Sequence, residues 1–383
     1  MSDRAQQSNK TLFTVAKNAG FGMGASVVSI LLRVSISIVI ARAIGPESLG
    51  VYVLAVAVLT FADVTALLGM EHTVVKFTAH FRALDDTPRL RGTLLWALSL
   101  SLSLSSLLCI STFCFAPLLA NYWNHDSELS YVLRIMSISL PFSMLTVLPL
   151  AVLQGLKLVK YQLLVQQILS PFCRLICVAF VLGLGYRLRG VAWSYLVSNV
   201  CAAGFSCYFL IINLPELLRR PIKYERKQIT LFSIPLFLSG ICNRIVNRSD
   251  ILIMGWFLPA SAVGIYGTAQ RIVPLIAIPL GALNGIFAPV ISDLFAQGKK
   301  QDLEDLFKVV ARWIFTATLP VFVLLVLFSE QILRIFGPSF VSGSTVLIIL
   351  SLGQMVNAGT GSTGFVLMMT DKPLLNLLNS ALL

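Results

Sequence analysis

The sequence predicts an all-α, polytopic membrane protein built as two lobes, with its N-terminus in the cytoplasm. Three observations carry that prediction. The 383 residues are 57% hydrophobic and only 12% charged, with a mean hydropathy of +0.85, a composition foreign to soluble globules. Apolar runs of about 20 residues, long enough to cross a bilayer as helices, recur down the chain. Two stretches ending at Tyr52 and Tyr266, 214 positions apart, have nearly the same pattern.

The spans fall near 20–43, 51–72, 93–118, 129–153, 161–184, 190–213, 231–257, 264–290, 312–329 and 342–368. The first follows a polar, charged lead, Ser2–Asn18. It is too long for a signal peptide and lacks a small-residue cleavage pattern, so it is expected to remain as a helix. A tight turn around Pro46 separates it from the second span. Within the third, Leu98 to Ser105 alternates Leu and Ser as a strand would, yet the apolar run from Thr93 to Leu119 is too long and continuous for a barrel strand, and helix wins. Gln154-Gly155 ends the fourth, and Pro259 marks the turn after the seventh.

The net charge of +12 is placed as in a membrane protein, not as on a nucleic-acid surface. Of the 29 Lys and Arg, 19 fall in every second connection, starting with Arg4, Lys10 and Lys17. The opposite side holds only Arg42, Arg187, Arg189 and Arg334. The positive-inside rule then puts the N-terminus in the cytoplasm. Six more, Arg33, Arg134, Arg174, Arg244, Arg248 and Arg271, lie within spans. All seven cysteines lie in apolar spans, which argues against a disulfide framework.

The longest basic connection, 214–230, comes after six spans and before the repeat of the first. It divides the chain into an N-terminal lobe, 1–213, a cytoplasmic linker, and a C-terminal lobe, 231–383. In each half an arginine inside a span (Arg33, Arg248) precedes a proline turn and a Gly-x-Tyr, Gly50-Val51-Tyr52 or Gly264-Ile265-Tyr266. Duplicated halves are a common plan of transporters. A second correspondence sets Gln154–Lys157 against Met369–Lys372, which makes Pro373–Leu383 the start of an eleventh helix. About ten apolar residues cannot span, so the expectation is a second lobe of four helices and part of a fifth, in a frame that continues or in a chain that ends as a re-entrant stub.

Charge deep in hydrocarbon is costly and usually functional. Gly22, Ser26, Ser29, Arg33 and Ser37 line one face of the first span. Arg33 either faces a cavity or sits in a buried ion pair. Asn243, Arg244, Asn247, Arg248 and Asp250 make a broad polar arc on the seventh. Arginine's planar fork suits phosphate oxygens, and Arg33, Arg244 and Arg248 are candidates to converge on a pyrophosphate. The plainer reading makes Arg248–Asp250 a tether at a helix end. Gln166, Gln167, Ser170 and Arg174 form a weaker polar face on the fifth span, with Arg174 in a supporting role. Arg134 and Arg271 are expected to snorkel. Asp63, at the centre of the second span, would hold a coupling proton or sodium ion, or neutralise Arg33; Asp250 is the other acidic candidate.

Enzyme signals lack their context. Gly20-Phe21-Gly22-Met23-Gly24-Ala25 fits a loose dinucleotide pattern with no strand before it. No Gly-x4-Gly-Lys-Ser/Thr loop occurs. Cys173 and Cys177 have no histidine nearby, so no metal is expected, and no catalytic residue or cofactor is assigned.

The segment Ala41-Arg42-Ala43-Ile44-Gly45-Pro46-Glu47-Ser48-Leu49-Gly50-Val51-Tyr52 resembles the Ala-Arg-x-Leu-Gly-Pro-Glu-x-Phe-Gly-x-Tyr hairpin of bacterial polysaccharide-synthesis flippases. Ile44 and Leu49 depart from it. Ser249–Gly255 with Val263–Tyr266 resembles the hairpin that opens that family's second lobe, and Gln154-Gly155 fits as well. The resemblance implies the multidrug/oligosaccharidyl-lipid/polysaccharide exporter superfamily, two six-helix lobes in a V, and alternating access. It implies a flippase for undecaprenyl-pyrophosphate-linked O-antigen or capsule repeat units in the bacterial inner membrane, with polymerase and glycosyltransferase neighbours. One rival is a cation-coupled multidrug exporter, which would show an acidic, aromatic cavity. The other is a polysaccharide polymerase or ligase, which would show a large external loop with catalytic polar groups.

Overall fold

A computed structural model of the chain describes residues 2–123, 127–215, 221–281, 283, 287, 297 and 299–359. Among them the regular structure is helical throughout, as the fold class required. Helix α1, Ser2–Leu67, runs for 66 residues and is broken at Gly45 (φ 77°, ψ 175°). At 1.5 Å per residue a straight helix of that length would be about three bilayer cores long. The break therefore divides two spans. A positive φ is easy only for glycine, and Pro46 at the start of the next helical segment needs no N–H partner.

Helix α2, Met70–Ala83, follows Leu68 and Gly69, both at positive φ. The second span was expected to end near 72. The chain instead resumes as this amphipathic helix, which buries Val74 and Phe77 and carries Lys76 and Arg82. Helix α3, Thr87–Tyr122, begins at Asp86, whose carboxylate accepts the Arg89 N–H at 3.0 Å, a side-chain N-cap. Helices α4, Ser127–Ser137, and α5, Ser139–Gly155, make the fourth span. The fifth is α6, Val159–Leu163, a π-turn at Leu164–Leu169, and α7, Ser170–Gly183. Helices α8, Leu188–Asn213, and α9, Arg226–Phe257, follow.

Helix α10, Ala260–Ile272, tightens into a 3-10 turn at Val273–Ala277. Helix α11 covers Lys300–Leu327, so Lys300 and Lys308, ahead of the span read from 312, lie on helix; Lys308 pairs with Glu304 at 2.7 Å. The external stretch expected at 330–340 is helix α12, Ser329–Phe336, and a 3-10 turn at Pro338–Gly343, before α13, Ser344–Gly359. The expected helical residues 360–368, the Met369–Lys372 correspondence and the eleventh helix at Pro373–Leu383 lie outside the described residues, as does most of the eighth span beyond 281. Among the described residues nine helices are long and apolar enough to cross a membrane. The first of these, Ser26–Ala83, holds two of the spans read from sequence.

Two compact units emerge, Leu31–Gly264 and another that joins the residues before Leu31 to those from Ile265 on. The boundary by packing thus falls at Gly264, whereas the sequence repeat has its joint at 214–230. In the first unit a core of Met70, Phe77, Leu90, Leu148, Leu153 and Ile229 lies among α2, α3, α5 and the start of α9. In the second, Val310 and Ile314 of α11 pack on Ala358 of α13. Leu107, Ile110, Phe115, Phe180 and Tyr208 are exposed, as outward apolar side chains in a bilayer are.

The two repeated glycines meet. A Cβ on Gly50 would overlap the Ala260 carbonyl oxygen, and a Cβ on Gly264 would overlap that of Pro46. Ala260 stands four residues before Gly264, as Pro46 does before Gly50, so the contact is reciprocal. Small residues allow such close backbone approach between membrane helices. From there α1 runs along α9, with Gly255 against Leu54 and Gly240 against Val64.

The opposite end of this unit fastens the linker. The Lys223 amide donates to the Pro88 carbonyl at 3.1 Å. Arg89 pairs with Glu225 at 3.2 Å, and Trp96 Nε1 donates to the Thr230 hydroxyl at 3.1 Å. Within this unit, connections that the charge count assigns to the cytoplasm meet here, at Pro88 and Lys223, and those assigned outside meet at the glycine end, at Glu47, Glu128 and Pro259.

Candidate functional site

Within the Leu31–Gly264 unit the charged groups of the spans form a connected run. Asp63, on α1, is partly buried and its Oδ1 has no hydrogen-bond partner among the described residues. The Ser143 hydroxyl of α5 donates to its carboxylate, and Arg244 of α9 is within electrostatic reach. Gly240, one turn before Arg244, lies against Val64, so α9 runs beside Asp63 at this level. Arg244 also acts on Arg248, which Asp250 counters. The Asp250 carboxylate accepts the Ile251 N–H at 2.8 Å.

On the other side of Asp63 lies Tyr195 of α8, within reach of both Asp63 and Arg174. The Arg174 guanidinium sits 4.8 Å from the Tyr195 ring centroid and 5.7 Å from that of Tyr52. Both distances suit cation–π attraction. Tyr52 is the tyrosine of the first Gly-x-Tyr and is fully buried. The π-turn at Leu164–Leu169 contains Gln166 and Gln167 and sits just before Arg174. An ideal helical face therefore misplaces these residues relative to Arg174, since one extra residue per turn rotates what precedes it.

The structure thus joins Arg174, Asp63, Arg244, Arg248 and Asp250 through Tyr195 and leaves Arg33 apart. Arg33 is exposed and makes no hydrogen bond or ion pair among the described residues. The cation beside Asp63 is Arg244, where the sequence suggested Arg33. Arg134 does not simply snorkel: its Nε donates to the Phe113 carbonyl at 3.3 Å, with the guanidinium 5.3 Å from the Phe113 ring. Sequence reasoning missed Ser143 and Tyr195. A lone serine or tyrosine in an apolar helix carries no signal until its neighbours are known.

Counted along the run, Arg174, Arg244 and Arg248 outnumber Asp63 and Asp250. Such a row of groups can hold an anion at its cationic end. It can bind and release a proton or small cation at Asp63, whose charge Arg244 otherwise balances. It carries no nucleophile–base pair and no assembled acyl- or phosphoryl-transfer group. These helices and charges are those of a multi-pass membrane protein with charged groups set among its spans.

Comparison with known proteins makes the class specific. Residues 39–341 match the family "Polysaccharide biosynthesis protein", and the chain belongs to it. It is 23% identical over 297 residues to the teichuronic acid biosynthesis protein TuaB of Bacillus subtilis, covering 74% of this chain and 58% of TuaB. It is 27% identical over 135 residues to a probable low-salt glycan biosynthesis flippase, Agl15, of Haloferax volcanii, covering 35% and 29% of the two chains. The chain therefore spans less than two thirds of either relative. Among solved structures it is similar to a multidrug resistance MATE family transporter of the MOP superfamily in an inward-facing conformation. That match has a TM-score of 0.77 at 18% identity and covers 92% of this chain and 83% of that one. A MOP superfamily transporter from Pyrococcus furiosus matches with a TM-score of 0.56 at 17% identity, over 96% and 84%. At such identities the likeness is one of fold.

Proposed function

We propose that this protein is a flippase for a lipid-linked oligosaccharide. It would move an undecaprenyl-pyrophosphate-linked repeat unit from the inner to the outer leaflet of the bacterial cytoplasmic membrane by alternating access. The observation that carries the reading is the excess of cations over acids along Arg174–Tyr195–Asp63–Arg244–Arg248, within a chain of the polysaccharide biosynthesis family. A pyrophosphate needs charge-assisted donors, and arginine supplies them in a planar fork. Arg33, exposed on α1, joins this set as the outlying cation that first meets the head group. The lipid tail stays in the bilayer while the head crosses.

Asp63 is the proposed coupling site. Binding a proton or sodium ion there releases Arg244 for the substrate, and its loss returns Arg244 to the carboxylate. The duplicated halves, 1–213 and 231–383 about the 214–230 linker, are the proposed rocking bodies. Polymerase and glycosyltransferase neighbours follow from the substrate. No bond is made or broken, so no enzyme activity is proposed. The family match favours this reading over drug export, since structural likeness to multidrug transporters at 18% identity speaks only to fold.

The test is the sidedness of the lipid-linked oligosaccharide in spheroplasts, read as the fraction oxidised by impermeant periodate. That fraction should fall when the gene is deleted and recover with the wild-type gene. An unchanged fraction on deletion would overturn the proposal.

A further inference from the structure

At the glycine end of the Leu31–Gly264 unit, α1, α3, α4, α9 and α10 enclose a cavity of about 580 Å³, within the size range of small-ligand pockets. Its lining includes Glu47, Trp123, Glu128, Trp256 and Phe257. It is separate from the run of charges around Asp63. Trp256 is 54% exposed and Phe257 77%, with Tyr122 set against Trp256 at 5.3 Å and 50°. The Trp123 indole Nε1 is buried and has no hydrogen-bond partner among the described residues.

These groups define the ligand they would satisfy. A buried indole N–H without an acceptor is an unusual cost in a native protein and calls for a partner. Two carboxylates can only accept hydrogen bonds when ionised. Broad aromatic faces want a flat apolar surface. The ligand must therefore accept from Trp123, donate to Glu47 and Glu128, and lay C–H groups on Trp256. A pyranose does all three, because its hydroxyls both donate and accept and its ring presents an apolar C–H face. A lipophilic cation without a hydrogen-bond acceptor satisfies the rings and the carboxylates but leaves the indole unmatched. A phosphate is repelled by the carboxylates. An aromatic belt at the membrane interface accounts for tryptophans at helix ends but not for a buried, unmatched N–H.

We propose that this cavity is a saccharide-binding subsite, on the side that the charge count assigns to the exterior, where the sugar head rests on leaving the transporter. Its place in transport rests on the flippase reading above; its affinity for sugar does not.

The experiment is saturation-transfer NMR on the full chain in lipid nanodiscs, with cellobiose, lactose and N,N′-diacetylchitobiose as probes and tetraphenylphosphonium, a cation with no hydrogen-bond acceptor, as the comparison. At least one disaccharide should show transfer, strongest at its ring C–H protons. Trp123→Phe, which keeps an aromatic ring but removes the indole N–H, should weaken binding roughly tenfold. Glu47→Gln with Glu128→Gln should weaken it further. No transfer from any of the three sugars would overturn the subsite. So would transfer unchanged in both Trp123→Phe and Trp256→Ala, or binding of tetraphenylphosphonium alone. The periodate assay separates the two proposals. Sugar binding with unchanged sidedness on deletion sinks the flippase reading alone, and altered sidedness with no sugar binding sinks the subsite alone.

Discussion

The reciprocal crossing of Gly50 and Gly264 makes a quantitative prediction. Alanine at either position drives a methyl group into a backbone carbonyl, that of Ala260 or of Pro46, and a carbonyl cannot rotate away as a side chain would. The helices must part by something on the order of an ångström, at an overpacking cost of about 1–3 kcal/mol. Close Cα–H···O contact, worth about 0.5–1 kcal/mol, is weakened as well. The better helix propensity of alanine returns about 1 kcal/mol. The net loss for each single variant is thus about 0.5–3 kcal/mol, or a midpoint lowered by roughly 1–12 °C for a unit of this size. One separation of the helices relieves both overlaps, so Gly50→Ala/Gly264→Ala should cost less than the sum of the two, by about 1–2 kcal/mol. Gly204→Ala is the control: on α8, with nothing within 4 Å of its built Cβ, it should hold or raise the midpoint. Thermal unfolding of the detergent-solubilised protein by intrinsic fluorescence reads all four. Singles that melt with the wild type, or a strictly additive double, would refute the crossing.

Other predictions concern charge and topology. Arg244→Ala should weaken substrate retention by one charge-assisted contact, about 1.5–3 kcal/mol, with Arg244→Lys recovering only part; if Arg244→Ala/Asp63→Ala transports normally in the periodate assay, the arginine is scaffolding. Arg174→Gln should cost about 0.5–2 kcal/mol through lost attraction to Tyr195 and Tyr52, and Tyr195→Phe, which keeps the ring, should retain most of that stability; equal losses in the two would place the effect elsewhere. Arg33→Ala should leave the melting midpoint within about 0.5 kcal/mol of wild type, since the side chain is exposed; a large fall would show a structural partner. In a background lacking native cysteines, a cysteine at Glu47 should react with an impermeant maleimide in intact cells and one at Lys223 only after lysis; the reverse pattern inverts the topology.

The helices and their order were legible because hydropathy over a bilayer's length is a strong, local signal. The Gly45–Pro46 break was legible for the same reason, as glycine and proline act within one residue. Boundaries failed where polarity did not end a helix: α2 carries Lys76 and Arg82 past the expected end, and α11 begins a dozen residues before 312. The cations of the site stood out because arginine in hydrocarbon is rare. Their partnerships did not. Asp63 takes Arg244 because α9 packs along α1, with Gly240 against Val64 one turn from Arg244, a fact of tertiary packing. The π-turn before Arg174 has no compositional mark, and Trp123 and Trp256 look like ordinary interface residues until the cavity between them is seen.

The crossing of the repeated hairpins has the form of a contact between two copies of one patch. Gly50 lies on Ala260 and Gly264 on Pro46, and each pair is the other with the hairpins exchanged. That is the arithmetic of an isologous contact, in which one patch serves both sides of a two-fold axis, here made within a single chain. The positions that offer only a carbonyl differ in side chain, proline at 46 and alanine at 260, because every residue has a carbonyl to offer. The positions that face a carbonyl are both glycine.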